Sequence, residues 1–277
     1  TRPRPVRTCL MPALICPLCR LPLLREANAW RCDNRHSFDV AREAYLNLLP
    51  VQQKKSRDPG DNPEMVQARR DFLQAGHYGP LRDAVIARLR ACNPQSLLDL
   101  GGGEGWYTGA MTAAATDITG LDIAKPAVRL AAKKHPGITW LVGSGAALPL
   151  ADASVDAVCS LFSPLPVAEM QRALKPGGHV LVARPAPDHL WKVREGLFGE
   201  VLAHQPEKFL PELQTAFTLE EQAEIRFPLH LTQTALKQLL AMTPYVWKAR
   251  PERRAALEAH EAFETEAAFS LMVLRKG

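Results

Sequence analysis

One stretch constrains this chain more than any other: Leu97-Leu98-Asp99-Leu100-Gly101-Gly102-Gly103-Glu104-Gly105. An apolar run closing on an acid, then glycines at alternate positions 101, 103 and 105, reads as a strand and a tight turn entering a helix. Glycine permits the sharp reversal and lets a ligand approach the backbone closely. The N–H groups that open the following helix favour a carboxylate or phosphate. A dinucleotide fingerprint counted from Gly101 and Gly103 needs its third glycine at position 106, where the chain has Trp106. Asp99 and Glu104 add negative charge that a pyrophosphate would oppose. S-adenosylmethionine carries an ammonium, a carboxylate and a sulfonium, and it suits an acid-edged turn better. Asp99, Gly101, Gly103 and Glu104 are therefore candidate cofactor contacts, although a purely structural turn reads the same way in isolation.

The residues that follow favour the cofactor. Ile118-Thr119-Gly120-Leu121-Asp122-Ile123 reads as a second strand ending in an acid. An acid about twenty residues past the turn accepts hydrogen bonds from a ribose diol, the role expected of Asp122. A helix over 127–135 and a strand over 138–142 come next, then a loop over 143–149 whose Ala146 and Ala147 are further candidate contacts. A fourth strand over 155–161, a helix over 167–174 ending at Lys175-Pro176-Gly177-Gly178, and a fifth strand over 179–183 continue the alternation. Strand–helix alternation predicts a parallel sheet covered on both faces. This order, with Leu-Lys-Pro-Gly-Gly before the fifth strand, resembles the class I (Rossmann-like) methyltransferase fold, an α/β architecture.

Three of the six cysteines cluster ahead of that fold. Cys16, Cys19, Cys32 and His36 form a C-x2-C-x12-C-x3-H pattern, a donor set suited to tetrahedral Zn²⁺. A module of about thirty residues has too little core to fold unaided, so a metal would hold it, with Trp30 and Phe38 as cover. A disulfide is the alternative, and the spacing and an expected cytoplasmic setting both speak against it. No run approaches the ~18 apolar residues of a membrane span, and nothing resembles a secretory signal. The net charge of +5 is uneven: residues 1–57 hold 11 Lys/Arg against 4 Asp/Glu, and the remaining 220 hold 23 against 25. A basic head on a slightly acidic body points to an anionic polymer, with a merely solvated surface as the alternative.

Lys54, Lys55 and Arg57 make the next linker basic, ahead of a turn at Asp58-Pro59-Gly60-Asp61. Helices are expected from Pro63 to near Gly76 and over 80–91. Between them Tyr78 either contacts the cofactor or simply packs under the sheet. Residues 191–231 carry a mixed pattern that assigns no element. A helix over 233–242 precedes Tyr245 and Trp247, which stand beside Lys248 and Arg250 and suit either base stacking or a core corner. Phe269 to Leu274 reads as the last strand. His189, with Asp188 in the loop after strand five, lies at the carboxyl edge where ligands bind in such sheets. Both are candidate pocket groups for catalysis, although a lone loop histidine is commonly surface.

A specific resemblance joins these pieces. The four metal-ligand positions, Tyr45-Leu46-Asn47-Leu48-Leu49, Gly60-Asp61, Met65, Ala68-Arg69-Arg70, Ala75-Gly76-His77-Tyr78 and Met242-Thr243-Pro244 recur together in the bacterial 23S ribosomal RNA (guanine-N1)-methyltransferases. The likeness spans nearly everything from about residue 14, and is greater to the Gram-negative branch than to the branch associated with macrolide resistance. It implies a zinc-binding RNA-recognition domain over 12–50 and a methyltransferase domain over 51–277, linker 51–63 included. It implies a homodimer acting on a guanine in the helix thirty-five hairpin of domain II of 23S rRNA, with no membrane association. It places zinc on Cys16, Cys19, Cys32 and His36, and cofactor contacts on Tyr78, Gly103, Glu104 and His189. Ser163-Pro164-Leu165 after strand four lacks the Asn-Pro-Pro-Tyr pattern of exocyclic-amine methyltransferases, and Arg184 fits no motif. Rival readings are a small-molecule methyltransferase of the same fold, which the basic zinc head disfavours, and a non-catalytic zinc-ribbon RNA-binding protein. The complete glycine turn with Asp122 disfavours the second.

Overall fold

The computed structural model describes residues 13–53, 60–245 and 248–277. Lys54, Lys55, Arg57 and Trp247 lie outside the described residues. Three short strands, β1 (Leu24–Glu26), β2 (Ala29–Arg31) and β3 (Ser37–Asp39), form an antiparallel ribbon. Then β4 (Tyr45–Asn47) leaves the ribbon and pairs in parallel with a strand of the main sheet. Helix α1 (Pro63–Gln74) starts where the Asn62 side chain accepts the Met65 N–H at 2.9 Å and Pro63 occupies the first turn. Helix α2 (Gly79–Cys92) stops at Asn93, whose left-handed backbone ends it.

The main sheet begins with β5 (Ser96–Leu100), which passes through the glycine turn into α3 (Trp106–Met111). It continues with β6 (Asp117–Asp122), α4 (Lys125–Lys134), β7 (Thr139–Val142), β8 (Val155–Leu161), α5 (Val167–Ala173) and β9 (Leu174–Pro185). Two short helices follow, α6 (Trp191–Phe198) and α7 (Leu210–Gln214), then β10 (Phe217–Thr232), α8 (Gln233–Ala241), α9 (Pro251–Glu258) and β11 (Ala262–Lys276). The eight strands lie in the order β10-β11-β9-β8-β5-β6-β7-β4. Pairing from β9 through β4 is parallel, and β11 is antiparallel to both neighbours.

Period-two alternation sends Leu97 of β5 to one face and Leu98 and Leu100 to the other. Leu97 joins Phe72, Leu89 and Trp140; Leu98 and Leu100 join Leu148, Val158 and Met170. The sheet is thus buried on both sides, which explains the near-continuous apolar runs of its parallel strands. The ribbon docks on the second face, where Leu14, Leu23 and Trp30 enter the same apolar cluster and Ile15 N–H reaches Pro149 O at 3.0 Å.

Three expectations are corrected. The Lys175-Pro176-Gly177-Gly178 turn belongs to β9, which starts at Leu174 and absorbs the irregularity as a register shift between Val155 and Ala157 of β8. The last strand is longer than 269–274 because its first half pairs with β10 beyond the reach of β9. Within the unassigned 191–231 stretch lies β10, a sixteen-residue edge strand whose first half is largely exposed and polar. Among the described residues no helix is long and apolar enough to cross a membrane.

Candidate cofactor and zinc sites

The glycine turn is bound to the next strand before any ligand is considered. Gly101 and Gly102 N–H both donate to Leu121 O, at 2.8 and 3.1 Å, fixing the turn on the end of β6. Gly101 (φ +82°) and Gly105 (φ +85°) occupy left-handed backbone, and added Cβ atoms there would strike Ser163 and Trp140. Gly103 (φ +56°) differs: nothing stands within 4 Å of where its Cβ would be. The peptide plane of Gly103 is therefore open on that side.

The four acids sort into distinct roles. Asp99 lies beneath the turn, 2% exposed, with its carboxylate accepting the Thr108 hydroxyl at 2.5 Å. Burial pushes it up to about 7, against the Thr108 hydrogen bond and with help from nearby Asp122 and Glu104. Asp122 closes the turn at the end of β6: one oxygen accepts Gly103 N–H at 2.9 Å and the other Ala124 N–H at 2.8 Å. Burial raises its carboxyl too. Glu104 is buried, and among the described residues its Oε1 has no hydrogen-bond partner. Asp188 points away from the turn into a bidentate pair with Arg226, at 2.7 and 3.0 Å, which holds its carboxyl below the usual range.

Tyr78 and His189 meet, 6.4 Å apart between ring centroids, in an aromatic cluster with Phe72, Phe227 and Phe269. Phe269 lies 4.5 Å from the His189 ring. His189 Nδ1 accepts Ala268 N–H at 3.2 Å, and burial with His204 nearby lowers the imidazole to about 3. Burial also pushes the Tyr78 phenol upward. Ala146 and Ala147 form a 3-10 turn capped by the Ser144 hydroxyl on Ala146 N–H. Gly60-Asp61 and Arg69 converge beside Asp122: the Arg69 guanidinium pairs with Asp61 and donates to Met242 O at 3.1 Å. Sequence reasoning passed over Trp140, which lies under Gly102, Gly105 and Gly120, because its only marker was the short strand expected over 138–142. Tyr245, read as either stacker or core, has its hydroxyl 2.8 Å from His204 Nε2 and its ring against Phe198.

In the ribbon, two knuckles face each other. Cys16 and Cys19 precede β1, with Arg20 N–H closing on Cys16 O; Cys32 and His36 flank the β2–β3 turn, with Arg35 N–H closing on Cys32 O. Arg20 and Arg35 both take φ of 63°, the sharp bend each knuckle needs. The ligand atoms of all four residues lie within 4.8 Å of one another, and His36 Nδ1 is 3.4 Å from both Cys16 and Cys32 Sγ. Three sulfurs and an imidazole nitrogen converging on one point match the donor chemistry of a closed, structural Zn²⁺ site.

Comparisons with known proteins reach both the ribbon and the glycine turn. Residues 14–57 match the zinc-ribbon family described as RlmA, N-terminal, and residues 98–182 match a methyltransferase domain. A 23S rRNA (guanine(748)-N(1))-methyltransferase of Streptomyces fradiae is 35% identical over 250 residues, covering 87% of this chain and 88% of its own. A Bacillus subtilis protein, YxjB, named for 23S rRNA guanine-N1 methylation, is 29% identical over 88% of this chain and 90% of its own. Among solved structures, YcgJ of Bacillus subtilis superposes with a TM-score of 0.51 at 16% identity, covering 72% of this chain and 99% of that one. A chain of the complex between the Haloferax volcanii Trm112 methyltransferase activator and its methyltransferase gives 0.52 at 21% identity, covering 80% and 99%. These two establish the fold alone. The glycine turn closed by Asp122, the Cys3His ribbon and the relatives together place the chain in the S-adenosylmethionine-dependent, zinc-ribbon-bearing 23S rRNA (guanine-N1)-methyltransferase family.

Proposed function

We propose that this protein transfers a methyl group from S-adenosylmethionine to N1 of a guanine in the helix thirty-five hairpin of domain II of 23S rRNA. The carrying observation is the acid-edged glycine turn, with Glu104 Oε1 buried and unpartnered beside the open face of Gly103. A buried acceptor lacking a donor fits a ligand that brings an ammonium, and three acids around the turn fit a cationic ligand. In this reading Glu104 receives the amino group, Gly101 and Gly103 admit the chain of the ligand, and Asp122 receives the ribose. Ala146 and Ala147 border the adenine, Tyr78 and His189 border the methionine end, and Asp99 supports the turn from beneath through Thr108.

Bound S-adenosylmethionine supplies an electrophilic methyl on a sulfonium. The protein's part is to expose N1, which lies on the Watson–Crick edge and is hidden in a paired base. N1 must then stand about 3–3.5 Å from the methyl and in line with it. The new N–C bond forms from the N1 electron pair as the C–S bond breaks toward sulfur, and the N1 proton passes to water. His189 does not take that proton: its Nδ1 is already an acceptor and its imidazole stays neutral, so Nε2 carries the hydrogen. Asp188, paired with Arg226, anchors the loop that presents His189.

Zinc on Cys16, Cys19, Cys32 and His36 holds the ribbon, whose exposed Arg25, Arg31, Arg35 and Arg42 grip the RNA backbone and make binding salt-sensitive. The chain divides functionally at residue 50, works as a homodimer, and acts in the cytoplasm where rRNA is made. The test incubates 23S rRNA with labelled S-adenosylmethionine and combines nucleoside analysis with primer extension. The expected product is 1-methylguanine, with reverse transcription stopping one nucleotide short of the target. Label in methylcytosine, methyladenosine or ribose rejects the assignment. Sedimentation analysis showing a monomer rejects the dimer alone.

A further inference from the structure

Two residues at the carboxyl edge of the sheet break ordinary rules and stand next to each other. Phe162, directly after β8, holds left-handed backbone (φ 61°) and is 41% exposed. Non-glycine residues rarely tolerate that conformation, and such strain clusters at functional sites. Arg184, near the end of β9, is only 8% exposed, and among the described residues it has no carboxylate partner. Its Nε has no hydrogen-bond partner, its Nη2 donates to Ser163 O, and its guanidinium lies 5.3 Å from the Phe209 ring centroid. Buried arginines without an acid are costly unless something else supplies the acceptor.

Both residues border the cofactor turn. Ser163, which receives the Arg184 hydrogen bond, also donates from its hydroxyl to Leu100 O and presses on Gly101. The Phe162 ring lies 5.3 Å from that of Phe269, which touches both Tyr78 and His189. An exposed phenylalanine and a cation without a carboxylate thus stand beside the residue that presses on the glycine turn. Ser163-Pro164-Leu165 is the loop that carries no known pattern, so its acceptor chemistry comes from its neighbours.

We propose that Phe162 and Arg184 form the seat of the acceptor guanine, Phe162 stacking on the flipped base and Arg184 donating to its O6. This rests on the guanine-N1 reading above and names the residues that select the base. As the N1 proton passes to water, the electron pair left behind is shared between N1 and O6. A guanidinium at O6 stabilises that anion, lowers the pH at which N1 ionises, and leaves the pair on N1 free to form the N–C bond while the C–S pair goes to sulfur. Adenine offers an amino donor at the same position, so the guanidinium also discriminates against it. Burial lowers Arg184 to about 10, still cationic at neutral pH.

The experiment uses the full-length zinc-loaded protein, a hairpin RNA containing the target, and the variants Arg184→Gln, Arg184→Lys and Phe162→Leu. Expected are unchanged zinc content and S-adenosylmethionine affinity, with kcat/KM for RNA lowered about 10- to 100-fold in Arg184→Gln and Phe162→Leu. In Arg184→Gln the limb of kcat that rises with pH moves to higher pH; Arg184→Lys restores its position in part, which a purely structural arginine would not do. Equal activity and an unmoved limb in Arg184→Gln overturn the proposal, as does loss of cofactor affinity in step with activity. Should Arg184→Gln fail to fold, the limb in Arg184→Lys and the kcat/KM of Phe162→Leu decide: wild-type values in both overturn it. A parent enzyme that makes no 1-methylguanine fails the earlier reading instead, so the two failures are distinct.

Discussion

The ribbon and the sheet are held together by different physics. In the ribbon each strand has three residues, β1 is fully exposed, and the buried side chains are few. Its order comes from four donor atoms at one point and from docking Leu14, Leu23 and Trp30 on the larger domain. The sheet needs no such staple, because apolar clusters cover both faces and include large buried groups such as Trp140, Phe72 and Phe269. Local coordination chemistry therefore governs one region, and area removed from water governs the other.

The largest effect separates them outright. Cys32→Ser should abolish stoichiometric zinc and unfold the ribbon, since structural zinc contributes on the order of 10 kcal/mol in isolated fingers. Proteolysis should then open residues 13–40 while calorimetry still finds S-adenosylmethionine binding. Loss of both together would mean that the regions fold as one unit. Phe269→Ala makes the converse cut: a large buried ring is removed, so stability should fall by about 3–5 kcal/mol with zinc retained. Denaturant titration beside metal analysis checks it.

Asp122→Ala tests the turn between these extremes. It removes the acceptor for Gly103 and Ala124 N–H, and with it the proposed ribose contact, and should weaken cofactor affinity by about 1.5–3 kcal/mol. Unchanged affinity by calorimetry would mean that the turn binds through its backbone alone.

The smallest effect lies in pH. His189 has its imidazole lowered from 6.5 to about 3, so it contributes stability above pH 6.5 that is lost as pH falls toward 3. His204, lowered to about 4, acts in the same direction. Asp99 is raised from 3.8 to about 7 and does the reverse: its contribution is present below 3.8 and lost as pH rises through about 7. Between pH 4 and 7 these slopes oppose each other, each at most about 1.4 kcal/mol per pH unit. His189 and His204 together outweigh Asp99, so the parent protein should melt higher as pH rises from 4 to 6.5. His189→Asn should tilt the profile toward greater stability at low pH, and Asp99→Asn toward greater stability at high pH. Parallel profiles for all three proteins would show that the buried groups do not titrate as described.

What the sequence reveals follows the same division. The Cys3His cluster, the 101–105 turn and Asp122 are legible because each depends on residues close in the chain, where spacing alone sets geometry. The surroundings of Phe162 and Arg184 are not. Phe162 reaches the aromatic cluster around Tyr78 only through Phe269, which β11 brings beside β9, and Arg184 meets Ser163 and Phe209 only through the fold. Likewise β10 hides behind polar, exposed positions, and its pairing with β11 rather than its own pattern makes it a strand. Asp188 was read as a pocket group from its neighbour His189, and its commitment to Arg226, 38 residues away, leaves no local trace.

The short strand β4 has a consequence for how the molecule is made. Tyr45, Leu46 and Asn47 are synthesised with the ribbon, yet their partners Trp140, Leu141 and Val142 belong to β7. As the chain leaves the ribosome, metal can close the ribbon once His36 has emerged, but the edge of the catalytic sheet stays open until about a hundred more residues follow. When β7 arrives, β4 occupies the edge that would otherwise be exposed to another chain. The part of the protein that metal can close first thus waits for β7 before it is locked to the sheet, and until then it shields nothing.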